Sequence, residues 1–162
     1  MIDRNHHMIA LPKADEILAM MHGKRAIGST LPYDTEIPYI LSTHLGIPTH
    51  VSKSAITDPW GGSFVDMATH IWQAHREFLE TASEEHLAAA IIERALNSTE
   101  SVDSDEKWET RFSQVLEREL GADPDLGRLA MQTAGGGPGA WTERVVARAV
   151  DLWREPEVEV SP

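Results

Sequence analysis

Apolar residues recur every three to four positions along most of this chain, and this spacing constrains the fold more than any other feature of the sequence. The clearest case lies between residues 63 and 80, where Ser63 and Asp66 form an S-x-x-D capping pattern ahead of an amphipathic run. Outside the short stretch 158–160, no alternating strand pattern runs beyond about four residues. The sequence therefore predicts an all-α fold.

Glycine, proline and capping residues divide the chain into a compact bundle of about five to six helices. The predicted helices cover roughly residues 12–22, 36–45, 63–80, 81–96, 103–120 and 141–153. A further short helical segment is predicted after Asp123–Pro124. The glycine run 135–139 lacks the Lys-Ser/Thr of a phosphate-binding loop, so we interpret it as a flexible joint between helices. We expect a loop-rich first half, one domain over residues 1–155 and a flexible acidic tail over 156–162.

Composition narrows the classes of function. The 162 residues carry 14 basic and 26 acidic side chains, and the resulting net charge of −12 disfavours binding to nucleic acid. The absence of cysteine excludes disulfides, thiol nucleophiles and thiolate metal sites. No apolar run approaches the roughly eighteen residues that a membrane span needs, and residues 1–13 lack the apolar core of a signal peptide. We therefore expect a cytoplasmic protein that binds neither nucleic acid nor membrane.

All eight histidines lie within the first 86 residues, where glycine and proline are also dense. A small metal- or histidine-dependent enzyme would place its site between the loops of residues 24–63 and the helix 63–80. The candidate catalytic residues are His44, His70, His75 and Glu77. The sequence identifies no cofactor for such an enzyme.

Each of these histidines has a second interpretation. Asp66 and His70 are four residues apart on one helix face and are candidate metal ligands, but Asp66 is equally suited to capping the helix with His70 in solvent beside it. His44 and His75 fall on the apolar sides of their helices. There they would either line a pocket or bond to a backbone carbonyl, because a buried unpaired polar group costs about 1–3 kcal/mol.

Residues 56–65, with the sequence ITDPWGGSFV, resemble the DPxGGS-aromatic segment of the cobalamin-dependent acyl-CoA mutases, where it enters a helix of the substrate-binding barrel. The resemblance covers about ten residues, whereas such a barrel takes about 250. The DxHxxG cobalamin-binding signature is absent from the chain. A turn at Asp58–Pro59, two glycines and a cap at Ser63 account for the segment, and no function is transferred from it.

Acidic side chains and tryptophans favour contact with another protein. Residues 84–125 hold twelve acidic and four basic side chains, and Trp60 and Trp153 are the candidate interface tryptophans. The favoured prediction is an α-helical interaction module (accessory subunit, adaptor or inhibitor) with an acidic docking surface. Its partner would be a basic protein, such as a nucleic-acid-binding protein or a toxin, or a second copy in a homodimer. The alternative is the small enzyme, so the sequence leaves enzymatic activity open.

Overall fold

The computed structural model describes residues 2–24, 33–57, 63–100, 105–136 and 140–154. Within these ranges every regular element is an α-helix and no strand occurs, which confirms the all-α prediction. The helices are α1 (Ala14–Lys24), α2 (Tyr33–Leu45), α3 (Thr49–Thr57), α4 (Phe64–Thr81), α5 (Glu84–Ser98), α6 (Asp105–Leu120), α7 (Leu126–Thr133) and α8 (Trp141–Arg154). None of the helices found in these ranges is both long and apolar enough to cross a membrane.

The predicted number of five to six helices is wrong, because the described residues contain eight. The helix missed entirely is α3, whose nine residues are fewer than the eleven or so over which helical periodicity is read. Gly46 to Pro48 correctly marks the end of α2, but Pro48 also begins α3: its carbonyl accepts hydrogen bonds from the N–H groups of Val51 (3.0 Å) and Ser52 (3.2 Å). Proline is favoured at helix starts, so the segment 46–48 both ends α2 and begins α3.

The predicted cap of α4 is present. The Ser63 hydroxyl accepts a hydrogen bond from the Asp66 N–H at 3.1 Å, and Ser63 itself has the extended backbone of an N-cap residue. Such a cap satisfies one of the N–H groups that the first helical turn leaves without a partner. The buried face of this helix consists of Met67, Ala68, Ile71, His75 and Leu79.

Helix contacts divide the chain into two compact units. Unit 1 comprises the described residues from Asp3 to Ser83, and unit 2 those from Glu84 to Arg154. In unit 1, α4 packs against α1 and α3, and α2 packs against α1 and α3. Its core is formed by Ile17, Met21, Ile37, Leu41, Ile47, Val51, Ala55, Met67, Ala68 and Ile71. The single domain over residues 1–155 stays a prediction, and the predicted acidic tail over 156–162 lies outside the described residues.

Residues 3–13 of unit 1, here called the N-terminal strap, lie ahead of α1 and bury Ile9 completely. The strap passes close to the turn after α2, where Gly46 has φ +74°. A Cβ atom at Gly46 would lie 1.8 Å from the Met8 carbonyl oxygen. Glycine is therefore required at position 46 both by its left-handed conformation and by the approach of the strap.

In unit 2, α5 packs against α6 and α8, and α7 packs against α6 and α8. The Trp108 indole N–H donates to the Leu96 carbonyl at 3.2 Å, which ties the start of α6 to the end of α5. Ser113 of α6 approaches Gly127 of α7 so closely that a Cβ atom on the glycine would lie 2.8 Å from its backbone. The Ser113 hydroxyl also accepts the Arg128 N–H at 2.7 Å, so α6 caps α7, whose own N-cap residue makes no side-chain cap bond.

Candidate functional site

The structure places four of the five candidate enzyme residues on α4 and the fifth at the end of α2. His44 is exposed in the last turn of α2, and Asp66 and Glu77 are exposed on α4. His70 is half-buried on the same helix, whereas His75 is completely buried. The solvent exposure of the candidates therefore ranges from the exposed carboxylates of Asp66 and Glu77 to the completely buried imidazole of His75.

The Asp66–His70 pair is connected through the main chain. His70 Nδ1 lies 2.9 Å from the Asp66 carbonyl oxygen, which can only accept, so Nδ1 carries the proton and donates to its own helix. This bond leaves Nε2 as the one ring nitrogen of His70 able to bind a metal. Asp66 contributes its backbone N–H to the Ser63 cap.

His75 is held in the core of unit 1 by a single hydrogen bond. Its Nε2 lies 2.9 Å from the Ile9 carbonyl oxygen, so Nε2 carries the proton and Nδ1 bears the lone pair. Nδ1 is buried and has no hydrogen-bond partner. Burial lowers the pKa of His75 below its ordinary value, and the bond to Ile9 opposes this shift without cancelling it. The imidazole is therefore neutral at pH 7.

A series of rings connects this imidazole to α3. Phe78 stacks near His75 with ring centroids 6.0 Å apart and an angle of 14° between the planes. Phe78 also meets the exposed His50 of α3 edge-on, with centroids 5.6 Å apart. Aromatic pairs at these separations contribute about 0.5–1.5 kcal/mol beyond the area they bury. The rings therefore fix the position of the imidazole.

The structure does not gather these candidates into one ligand set. Across the part of the chain that the structure describes, none of them belongs to a group of three imidazole or carboxylate ligands within 4.8 Å of one another. The catalytic role of His44, His70, His75 and Glu77 and the metal site at Asp66 and His70 stay predictions. The bond from His75 to Ile9 links positions 66 residues apart, and no pattern in the sequence indicates which carbonyl accepts it.

Of the two candidate interface tryptophans, one lies within the described residues. Trp60 lies outside the described residues, and Trp153 is half-buried near the end of α8. In the described ranges, the large apolar side chains exposed to solvent are Tyr39, Val65 and Leu129. Leu129 is the one in unit 2, where it is 44% exposed and follows Asp125 by one turn of α7.

The described acidic side chains of residues 84–125 are either exposed or half-buried. The structure describes nine of their twelve side chains. Three are half-buried, and two of these bond within unit 2: Glu109 to Gln132, and Glu119 to Arg118. The exposed ones are Glu84, Glu85, Glu100, Glu117, Asp123 and Asp125.

The densest exposed group lies where α6 passes into α7. Glu117, Asp123, Asp125 and Leu129, here called the α6–α7 patch, span thirteen residues of sequence. Main-chain bonds hold the turn: the Gly121 N–H donates to the Glu117 carbonyl (3.0 Å), and the Leu126 N–H to the Asp123 carbonyl (3.0 Å). The Asp123 carboxylate accepts the Asp125 N–H at 2.9 Å, and Asp125 pairs with Arg128 at 3.1 Å. The acidic docking surface predicted from the sequence includes these three carboxylates but not Leu129. The exposed position of Leu129 on α7 is the feature that indicates this residue.

No protein-family model, curated protein or solved structure matches this chain.

Proposed function

We propose that this chain is an α-helical protein-interaction module, acting as an accessory subunit, adaptor or inhibitor, that docks to a basic protein through the α6–α7 patch. The observation that carries the proposal is the placement of three exposed carboxylates and one exposed leucine at the hydrogen-bonded junction of α6 and α7, where Arg118 and Arg128 are the exposed basic side chains. An apolar side chain rimmed by charges is the composition expected of a docking site.

Charge supports the choice of partner. Within the patch, Asp125 has a counter-charge in Arg128, but both side chains are largely exposed, so this pair contributes at most about 1 kcal/mol and can exchange partners. The whole chain carries a net charge of −12, which attracts a basic surface and repels an acidic one. Electrostatic attraction of this kind speeds association and selects the partner, and it weakens as salt is added.

The rigidity of the turn supports docking at this place. The α6–α7 turn is held by backbone bonds at both ends and by the Asp123 carboxylate inside it. The Ser113 hydroxyl bonded to the Arg128 N–H and the tight approach of Gly127 fix α7 on α6. A surface that is already ordered loses less conformational entropy on binding.

The test compares two variants with the same change in charge. In the patch variant, Glu117→Gln, Asp123→Asn and Asp125→Asn remove three negative charges and keep the shapes of the side chains. The control variant removes three exposed charges elsewhere in unit 2, by Glu84→Gln, Glu100→Gln and Glu143→Gln. A partner recovered from source-cell extract on the wild-type chain is purified, and its dissociation constant is measured for all three proteins at 50 and 300 mM salt.

We expect the patch variant to bind about tenfold more weakly at low salt, because three exposed charge pairs together contribute about 1–3 kcal/mol. The control variant should lose about twofold or less, because charges outside the interface act only over screened distances. Equal losses in the two variants, or a partner whose affinity does not respond to salt, would contradict docking through the patch.

The small enzyme is the second candidate, and one observation favours it. The half-buried His70 ring uses Nδ1 for the Asp66 carbonyl, which leaves Nε2 with a lone pair that has the chemistry of a base or a metal ligand. Native mass spectrometry of the purified chain with and without a chelator tests this candidate. A bound mass that the chelator removes, and that His70→Ala abolishes, would support it; an unchanged mass would exclude a resident metal.

A further inference from the structure

The N-terminal strap is fastened to unit 1 at three points. The Arg4 guanidinium donates to the Leu79 carbonyl at 2.6 Å, and the His75 imidazole donates to the Ile9 carbonyl at 2.9 Å. Between these bonds, the Met8 carbonyl lies against Gly46. Ile9 is completely buried and Met8 is 7% exposed, so the fastened strap covers apolar surface of unit 1.

The hydrogen bond from His75 to Ile9 is made by an imidazole, a group that can gain a second proton in acid. The neutral His75 ring uses Nε2–H for Ile9 and leaves Nδ1 as a buried lone pair without a donor. A second proton would have to sit on Nδ1, where it would create a buried cation and a buried N–H group with no acceptor. The charged ring can be hydrated only if one of its neighbours moves away. The strap is the neighbour outside any helix, so lifting it breaks the fewest backbone bonds.

We propose that the N-terminal strap is an acid-released latch, in which protonation of His75 detaches residues 3–13 from α4 and uncovers the apolar surface beneath Met8 and Ile9. The direction follows from the two states of the ring. The ordinary pKa of histidine is 6.5, and burial lowers the pKa of His75 in the closed state. The open form therefore binds the proton more tightly, and acid favours opening. Above pH 6.5 the latch stays closed, and below it the ratio of closed to open chains falls by up to about tenfold per pH unit.

A protonated His75 would need a negatively charged partner, and the described charged groups on the neighbouring elements do not supply one. Arg4 bonds one turn away on α4 and repels a cation, and His50 contacts the Phe78 ring, which also stacks on His75. The pKa of His75 responds to burial and to the Ile9 carbonyl. The remaining titratable or charged groups on the strap, α1 and α3 whose side chains are described are Asp3, His6, His7, Lys13, Asp15, Glu16, His22 and Lys53.

Amide hydrogen exchange on the full chain measures the latch directly. Ile9 is completely buried while the strap is closed and its N–H donates to the His6 carbonyl at 2.9 Å, so lifting the strap exposes this amide to solvent and lowers its protection factor. The Ile71 amide in α4 reports the integrity of unit 1. Between pH 6.5 and 5.5, we expect protection of Ile9 to fall by up to about fivefold while that of Ile71 changes little. Unchanged protection at Ile9, or equal losses at both amides, would overturn the proposal.

Two variants assign the effect to one imidazole. In His75→Gln, the side-chain amide can still donate to Ile9 but does not titrate, so protection of Ile9 should no longer depend on pH. His6→Asn is the control, because His6 is an imidazole of the strap itself and its Nδ1 accepts the Met8 N–H; asparagine keeps that acceptor, and the response to pH should persist.

If His75→Gln fails to fold, a measurement on the wild-type chain still tests whether protonation of His75 releases the strap. The ¹⁵N signals of the His75 ring should show the Nε2–H form at pH 7.5, and the loss of protection at Ile9 should begin near pH 6.5 and level off below the titration midpoint of that ring. A loss that follows the midpoint of His6 or His50 instead would refute the latch.

Discussion

Replacing Gly46 by alanine should destabilise unit 1 by about 2–5 kcal/mol. The left-handed φ of +74° at Gly46 costs a residue with a Cβ about 1–2 kcal/mol. In addition, the new Cβ would lie 1.8 Å from the Met8 carbonyl oxygen and 2.9 Å from its carbon. These are backbone atoms that cannot rotate away, so the strap must shift, and overpacking of this kind costs about 1–3 kcal/mol more. Urea unfolding followed by circular dichroism measures the loss.

Two other glycines separate these contributions. Gly121 has φ +64° but nothing within 4 Å of a Cβ, so Gly121→Ala should cost only the conformational part, about 1–2 kcal/mol. Gly23 lies in α1 with an ordinary φ and open space around it, so Gly23→Ala should stabilise the chain by about 0.5–1 kcal/mol. If Gly46→Ala is no more costly than Gly121→Ala, the strap does not press on the turn after α2, and the packing described for residues 3–13 is wrong.

Three further predictions concern unit 2. Gly127→Ala should destabilise it by about 1–3 kcal/mol in thermal or urea unfolding, because the added Cβ would lie 2.8 Å from the Ser113 backbone; an unchanged midpoint would contradict the close crossing. Ser113→Ala should cost about 1 kcal/mol in the same assay, since the Arg128 N–H loses its acceptor, whereas Ser113→Thr would keep the hydroxyl and test packing instead. Arg154→Ala should change the free energy of unfolding by about 1 kcal/mol or less, because its pair with Glu85 is largely exposed; a larger loss would show that Arg154 has a structural role.

Local patterns in the sequence predict some elements closely. The Ser63 cap and the apolar stripe place α4 within a residue or two, because both signals depend only on residues a few positions apart. The Gly46–Pro48 signal likewise ends α2 correctly. Short helices are harder to predict, because the nine residues of α3 are fewer than the eleven or so over which periodicity is read. In addition, α3 begins at Pro48, which lies inside the signal that ends α2.

Contacts between distant residues could not be predicted from one sequence. The sequence indicates that a histidine on an apolar helix face needs a partner, but not that Ile9 supplies it from 66 positions away. In the same way, the Asp123–Pro124 turn predicts a helix start, yet the cap of α7 comes from Ser113 on another helix. Acidic residues show a similar limit, since folding directs Glu119 inward and leaves Glu117 exposed two positions earlier.

Zero-length crosslinking tests the central claim, docking of a basic partner through the α6–α7 patch, most directly. A carbodiimide joins carboxylates to lysine amines only where they touch, and the chain offers carboxylates across its whole surface. In the purified complex, the partner's lysines should be joined to Glu117, Asp123 or Asp125, and the yield should fall as salt is raised from 50 to 300 mM. Crosslinks confined to Glu84, Glu100 or Glu143, or spread evenly over the acidic residues, would contradict docking at the patch.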